Sequence, residues 1–150
     1  MEGVKEAILA DRFCMDTVGI ELLEIELGYA KARLTIGPEH LNGLAIVQGG
    51  AIFTLADLAL AAAANSQGTA TVAANANIAF LKAVTGGVLY AEAKEESRHG
   101  RLGTYTVRVT NDQNELVALM QGTGYRKRES LATLRSNLQG KESAAPAGRG

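Results

Sequence analysis

The chain has 150 residues, enough for one domain with a sizeable core. Lysine and arginine (15) nearly balance aspartate and glutamate (16), so nothing in the charge points to nucleic acid or an anionic membrane as partner. The single cysteine, Cys14, excludes an internal disulfide, and there is no Cys/His cluster at metal-ligand spacing. Together with an N-terminus that lacks a basic segment followed by an apolar stretch, this predicts a cytoplasmic protein in a reducing compartment.

Val4 to Phe13 carries apolar residues at helical spacing (Val4, Ala7, Ile8) and predicts a short amphipathic helix, with a turn at Asp16 to Gly19. Ile20 to Leu27 alternates loosely around Glu21, Glu24 and Glu26. Ala30 to Ile36 alternates again after Gly28-Tyr29, so the two read as an antiparallel hairpin. Gly37-Pro38 ends the second strand, and Glu39 to Val47 forms a loop in which Asn42 and Gly43 are turn residues. The Asn42 amide either shapes that turn or orients a substrate group or a water.

Val47 to Asn65 (VQGGAIFTLADLALAAAAN) organises the rest. After Gly49-Gly50 come good helix formers with no proline, apolar nearly all the way round, which places this helix inside a core. It is too short and too interrupted to span a bilayer. One acid, Asp57, lies within it, with Phe53, Thr54, Leu60 and Ala61 as helical neighbours. A buried carboxylate is costly unless paired. Asp57 therefore either reaches solvent or a neighbouring loop, or faces a cleft where burial raises its pKa for general-base or nucleophilic work. Glycines at a helix N-terminus let a ligand approach free N–H groups at the positive end of the dipole, the makings of an oxyanion hole. Gly49 and Asp57 stand about 12 Å apart along such a helix, too far to act on one carbonyl. Two copies packed antiparallel about a two-fold would bring Gly49 of one near Asp57 of the other, which predicts a homodimer with shared sites.

Thr71 to Leu81 reads as a strand with Val72, Ala74, Ala76, Ile78 and Phe80 on one face and Asn75 and Asn77 on the other, turned to solvent, a pocket or a subunit seam. Val88 to Ser97, Leu102 to Thr110 and Glu115 to Arg126 follow as strands with short turns between them, predicting a largely antiparallel meander. With the first hairpin this is an α+β layout, a six-stranded sheet against one long helix. From Glu129 the apolar pattern fades. Leu131 to Leu138 could make a helical turn or two, and Lys141 to Gly150 reads as disordered. The domain expectation is 1–128, with 129–150 as a tail.

Three stretches carry a resemblance: His40 to Ala59 (HLNGLAIVQGGAIFTLADLA), Asn65 to Gly68 (NSQG) and Ala76 to Lys82 (ANIAFLK). They resemble the phenylacetate-degradation (PaaI-type) hotdog thioesterases, over about residues 4 to 127. The resemblance implies the hotdog fold and hydrolysis of acyl-CoA thioesters, phenylacetyl or hydroxylated phenylacetyl esters first and medium-chain esters next. It implies no metal and no cofactor beyond the coenzyme A of the substrate. It implies a homodimer assembling to a homotetramer, with no nucleic acid or membrane partner. Gly49 then matches the glycine whose N–H meets the thioester carbonyl. Asp57 matches the acid supplied by the partner subunit, and Asn42 the asparagine that orients nucleophile or water. Gln48, Gly50 and Asn75 fall at substrate-binding positions. Lys82, Arg98 and Arg101, with Arg126 and Lys127, lie at strand ends where CoA phosphates could meet them. Two departures stand out. Gln48 replaces the usual histidine of His-Gly-Gly, and Ala73 stands where some relatives carry a Ser or Thr. Both favour the alternative reading, a non-catalytic acyl-CoA-binding sensor. A hotdog hydratase would need a His-Asp type pair, and His40 is the only nearby histidine. Ala59 and Ala61 to Ala64 leave room for an acyl or aryl group.

Overall fold

A computed structural model of the chain describes residues 1–144. The elements in order are α1 (Glu2–Leu9), a π-helical segment (Phe13–Val18), β1 (Ile20–Glu26), β2 (Tyr29–Thr35), α2 (Gly49–Asn65), β3 (Thr69–Phe80), β4 (Val88–His99), β5 (Leu102–Thr110), β6 (Leu116–Ser130) and α3 (Leu131–Ala144). The six strands form one antiparallel sheet in the order β1-β2-β4-β5-β6-β3, with α2 against its inner face. This is the expected α+β hotdog layout.

The core lies between α2 and the inward residues of the strands. Ala30, Ala32 and Leu34 of β2, Leu89, Ala91 and Ala93 of β4, and Tyr105, Val107 and Val109 of β5 are buried beneath Leu55, Ala56, Ala59, Ala62 and Ala63 of α2. Alanines on both surfaces let the helix approach the sheet closely. They are core filler; only Ala61 of the alanine run stays half-open, so the room expected around Ala59 and Ala62 to Ala64 is taken up by packing.

Several sequence expectations are corrected. The first helix stops at Leu9, and the predicted turn lies inside the π-helical segment. There the Asp11 carboxylate accepts the Cys14 N–H (2.9 Å), and Gly19 ends the segment at φ 86°, donating its N–H to the Cys14 carbonyl (3.0 Å). Glycine adopts that left-handed conformation without strain. In β1 the doubled Leu22-Leu23 is a bulge, which explains the loose alternation: Leu22 and Ile25 face inward and Leu23 outward. A second bulge between Ala73 and Asn75 reverses the phase of β3. Ala76 and Ile78 pack inward while Val72, assigned to their face by strict alternation, is exposed.

The meander is only β4-β5-β6; β3 pairs with β6, not β4. Gly122 and Gly124 of β6 make that pairing fit. A Cβ on the first would collide with Leu60 of α2, and one on the second would sit 2.9 Å from Thr71 Cγ2. Residues 81–87 then carry the chain across the N-terminal end of α2, where Val84 accepts the Val47 N–H (2.8 Å). The tail is also more ordered than expected. β6 runs to Ser130, paired with Thr69, so the boundary at 128 falls within a strand. The Ser130 hydroxyl accepts the Thr133 N–H (3.1 Å) and opens α3, whose Arg135 lies 4.0 Å from Glu6 of α1. The disorder expected from Lys141 is replaced by helix to Ala144, and residues 145–150 lie outside the described residues. No helix among the described residues is long and apolar enough to cross a membrane.

Candidate active site

The first turn of α2 is an exercise in where free N–H groups go. Gln48 is the N-cap: its side-chain oxygen accepts the Gly50 N–H, and its carbonyl accepts those of Ala51 (2.9 Å) and Ile52 (3.4 Å). One donor of the turn, the Gly49 N–H, has no acceptor among the described residues. Gly49 opens on an apolar groove of about 360 Å³ between Val47, Ile52, Phe80 and Val84. The Phe80 ring rests against it so closely that a Cβ on Gly49 would lie 3.1 Å from Phe80 Cζ. A free amide at the positive end of a 17-residue helix, beside apolar walls, can polarise a carbonyl.

Asp57 stands two turns further on, half-buried on a stripe of α2 (Gly50, Phe53, Thr54, Asp57, Ala61) that the sheet does not cover. Burial pushes its carboxyl above the ordinary carboxylate value, and the Asp11 charge adds to this. Asp57 does not line the groove beside Gly49, so within one protomer it and Gly49 are apart, as the spacing predicts. The nearby Cys14 thiol is pushed up to about 12 by burial and by Asp11, so it is an inert core group rather than a nucleophile.

The remaining predicted residues divide. The Asn42 carboxamide oxygen accepts the N–H groups of Leu44 (2.9 Å) and Ile46 (3.2 Å), so it shapes the turn, leaving only its amide NH₂ for a ligand. Asn75 is exposed beside the bulge on the edge strand. Lys82 borders the apolar groove and is ion-paired with Glu115, which lowers the Glu115 carboxyl below its usual range. Arg98 binds Gln67, and Arg101 donates to the Arg126 carbonyl (3.3 Å). Both arginines lie at the far end of α2 from Gly49, so within one protomer the predicted cations do not ring a single entrance.

Two residues of the site went unread in the sequence. Phe80 has the pattern of a core residue and keeps the phase of Ala76 and Ile78, yet at the end of β3 it is exposed and flanks Gly49. His40 reads as a lone loop histidine, yet it is buried with both ring nitrogens engaged. Gly37 donates its N–H to Nδ1 (2.9 Å), and Nε2 lies 2.6 Å from the Val18 carbonyl. Its proximity to a glycine turn is the one signal in the sequence. Among the described residues no three His, Cys, Asp or Glu side chains come together as a metal site.

Comparison with known proteins gives consistent results. The thioesterase superfamily model matches residues 44–118. A candidate esterase of Archaeoglobus fulgidus is 39% identical over 132 residues, 87% of this chain and 86% of that protein. The acyl-coenzyme A thioesterase PaaI of Escherichia coli K12 is 36% identical over 114 residues, 75% of this chain and 81% of that protein. The solved structure of E. coli PaaI aligns at a TM-score of 0.80 and 32% identity, covering 86% of this chain and 96% of the other.

Proposed function

The chain belongs to the thioesterase superfamily as a PaaI-type member, and on that footing we propose that it hydrolyses acyl-coenzyme A thioesters to the free acid and coenzyme A as a homodimer with two shared sites. The observation that carries the reading is an unpaired N–H at Gly49, a residue that lines an apolar groove. The thioester carbonyl accepts that N–H, and its oxygen gains negative charge as the carbonyl carbon is attacked. Asp57 of the partner subunit supplies the attack. As base it takes a proton from water; as nucleophile it forms an anhydride that water then opens. Either way the C–S bond breaks and the thiolate of coenzyme A departs. A carboxyl raised by burial is the stronger base near neutral pH.

The stripe of α2 that the sheet leaves open, on which only the N-terminal segment packs, and the free edge of β3 support the two-copy site. An antiparallel pairing sets the Arg98 and Arg101 end of one protomer beside the Lys82 end of the other, which supports a phosphate-binding seam and gives those cations a common task. Asn42 offers its NH₂, and Asn75 its exposed amide, to substrate or water. Further pairing of dimers gives the homotetramer expected of this family, acting in the cytoplasm without metal or bound cofactor. Apolar walls at Val47, Ile52, Phe80 and Val84 favour aryl-type acyl groups such as phenylacetyl or hydroxylated phenylacetyl, with medium-chain esters next. Because Gln48 serves as the helix cap, its replacement of histidine is a structural exchange, which weakens the sensor reading. The hydratase reading weakens too, since both nitrogens of His40 are committed to backbone groups.

The test is thiol release from a panel of aryl and aliphatic acyl-CoA esters, with wild type and Asp57→Asn side by side. Turnover by wild type, fastest on an aryl ester and absent in the variant, is the expected result. Saturable ester binding with no thiol release would replace the enzyme by the sensor.

A further inference from the structure

Building on that reading, we propose that His40 is the positioning residue of the oxyanion amide: a neutral imidazole that pins the loop ahead of α2 and so aims the Gly49 N–H. His40 is only 6% exposed, in a loop whose neighbours are mostly open to solvent. The Gly37 N–H donates to Nδ1, so Nδ1 carries no proton. The ring proton is therefore on Nε2, which donates it to the Val18 carbonyl at the end of the π-helical segment. The backbone of the same residue is used as fully. Its N–H donates to the Gly37 carbonyl (3.0 Å), and its carbonyl accepts the Gln48 N–H (2.8 Å).

Gln48 is where this pin becomes chemistry. Gln48 is fixed from behind by His40 and in front holds the N–H groups of Gly50, Ala51 and Ile52. Its peptide bond to Gly49 carries the one N–H left over. The Gln48–Gly49 peptide plane is held by its own carbonyl, which accepts the Ala51 and Ile52 N–H groups, and the plane before it by the His40 carbonyl, so the His40 clamp acts on the direction of the Gly49 N–H through the Gln48 backbone. His40 reaches the reaction only through Gln48 and touches no reacting atom. Glu39 Oε1, 3.7 Å from Nε2, is the charged group near the ring, and it is too distant to replace the Val18 carbonyl as acceptor.

Three variants and two readouts test this. His40→Asn keeps an acceptor near the Nδ1 position, His40→Gln keeps a donor near the Nε2 position, and His40→Ala keeps neither. The first readout is steady-state hydrolysis of the best ester from the panel. The second is the carbonyl stretch of a bound, non-hydrolysable ketone analogue in which CH₂ replaces the thioester sulfur, followed by isotope-edited infrared spectroscopy. We expect His40→Ala to lower kcat by about 100-fold, the scale of a roughly 1 Å misplacement, with KM within about threefold of wild type. The carbonyl band should move back towards its frequency in water. Asn and Gln should each recover part of both effects, and they carry the test if the alanine variant does not fold. A wild-type kcat and an unshifted band in all folded variants would overturn the proposal, as would a KM rise with unchanged kcat. Absence of thiol release by wild type would sink the thioesterase reading alone, because the infrared band still reports whether His40 aims the amide.

Discussion

The two ends of α2 are built from the same kinds of residue and treat their polar groups in opposite ways. At the C-terminal end the polar side chains of Asn65 and Ser66 are buried and paired. Asn65 donates to the carbonyls of Ala61 (2.8 Å) and Thr71 (3.0 Å) and accepts the Thr71 N–H (2.8 Å). The Ser66 hydroxyl donates to the Ala63 carbonyl (2.7 Å) and accepts the Gly28 N–H (2.8 Å). At the N-terminal end, the cap and the loop satisfy all but one N–H, and that one opens on a groove. Buried polar groups are ordinarily paired. A fully paired end is an anchor, and an end with one donor kept free is a place for a ligand. Asp57 lies between them, raised by burial on the side that the sheet leaves open.

The comparison breaks first at Asp57. Asp57→Asn should lower kcat by about 10²–10⁴, the range of a positioned acid or base, while the variant stays folded. Stability should move the other way. The folded-state carboxyl titrates above its ordinary value of 3.8, so folding favours the protonated form. The stability linked to Asp57 is complete below 3.8 and is lost as pH rises through the raised folded-state value. Denaturant unfolding at pH 4 and pH 8 should therefore show wild type losing ground to Asp57→Asn as pH rises. Equal pH dependence in the two proteins would mean that Asp57 is not desolvated.

The free amide can be removed by a proline at its own position. Position 49 is the first residue of the helix, where proline is tolerated. Gln48 already has the extended backbone (φ −63°, ψ 131°) that a following proline requires. Phe80→Ala clears the space that the ring would need. Relative to Phe80→Ala alone, the double variant Gly49→Pro/Phe80→Ala should lose about 10²–10³ in kcat, the effect of deleting one oxyanion donor, at unchanged secondary structure by circular dichroism.

The anchor end should answer in stability alone. Asn65→Ala leaves the Thr71 N–H and carbonyl without their side-chain partner and should cost about 1–3 kcal/mol in chemical denaturation, with turnover per folded molecule unchanged. Ser66→Ala removes the acceptor of the Gly28 N–H and should cost about 1 kcal/mol. A fall in kcat from either change would erase the distinction between the two ends.

Much of this arrangement was legible in order. Continuous apolar character marked α2 as the core helix, and glycine pairs and alternation marked the strands. The Gly49–Asp57 interval predicted on helical rise alone that the two do not meet within one protomer. The errors share a cause. Bulges at Leu23 and in β3, the pairing of β3 with β6, and the helical tail beyond Ser130 all depend on partners distant in sequence. A doubled leucine signals a bulge only when the opposite strand is known. Phe80 and His40 were missed for the same reason, since a residue's exposure and its hydrogen bonds belong to its neighbours.

By itself, then, the sequence determined the α+β class, the buried central helix, the glycine-opened N-terminus and the isolated acid. Those follow from periodicity and from the cost of burying charge, both local properties. Tertiary structure alone decided which histidine is locked and which strand forms the open edge. Each is settled by long-range hydrogen bonds whose partners are brought together only when the sheet closes around the helix.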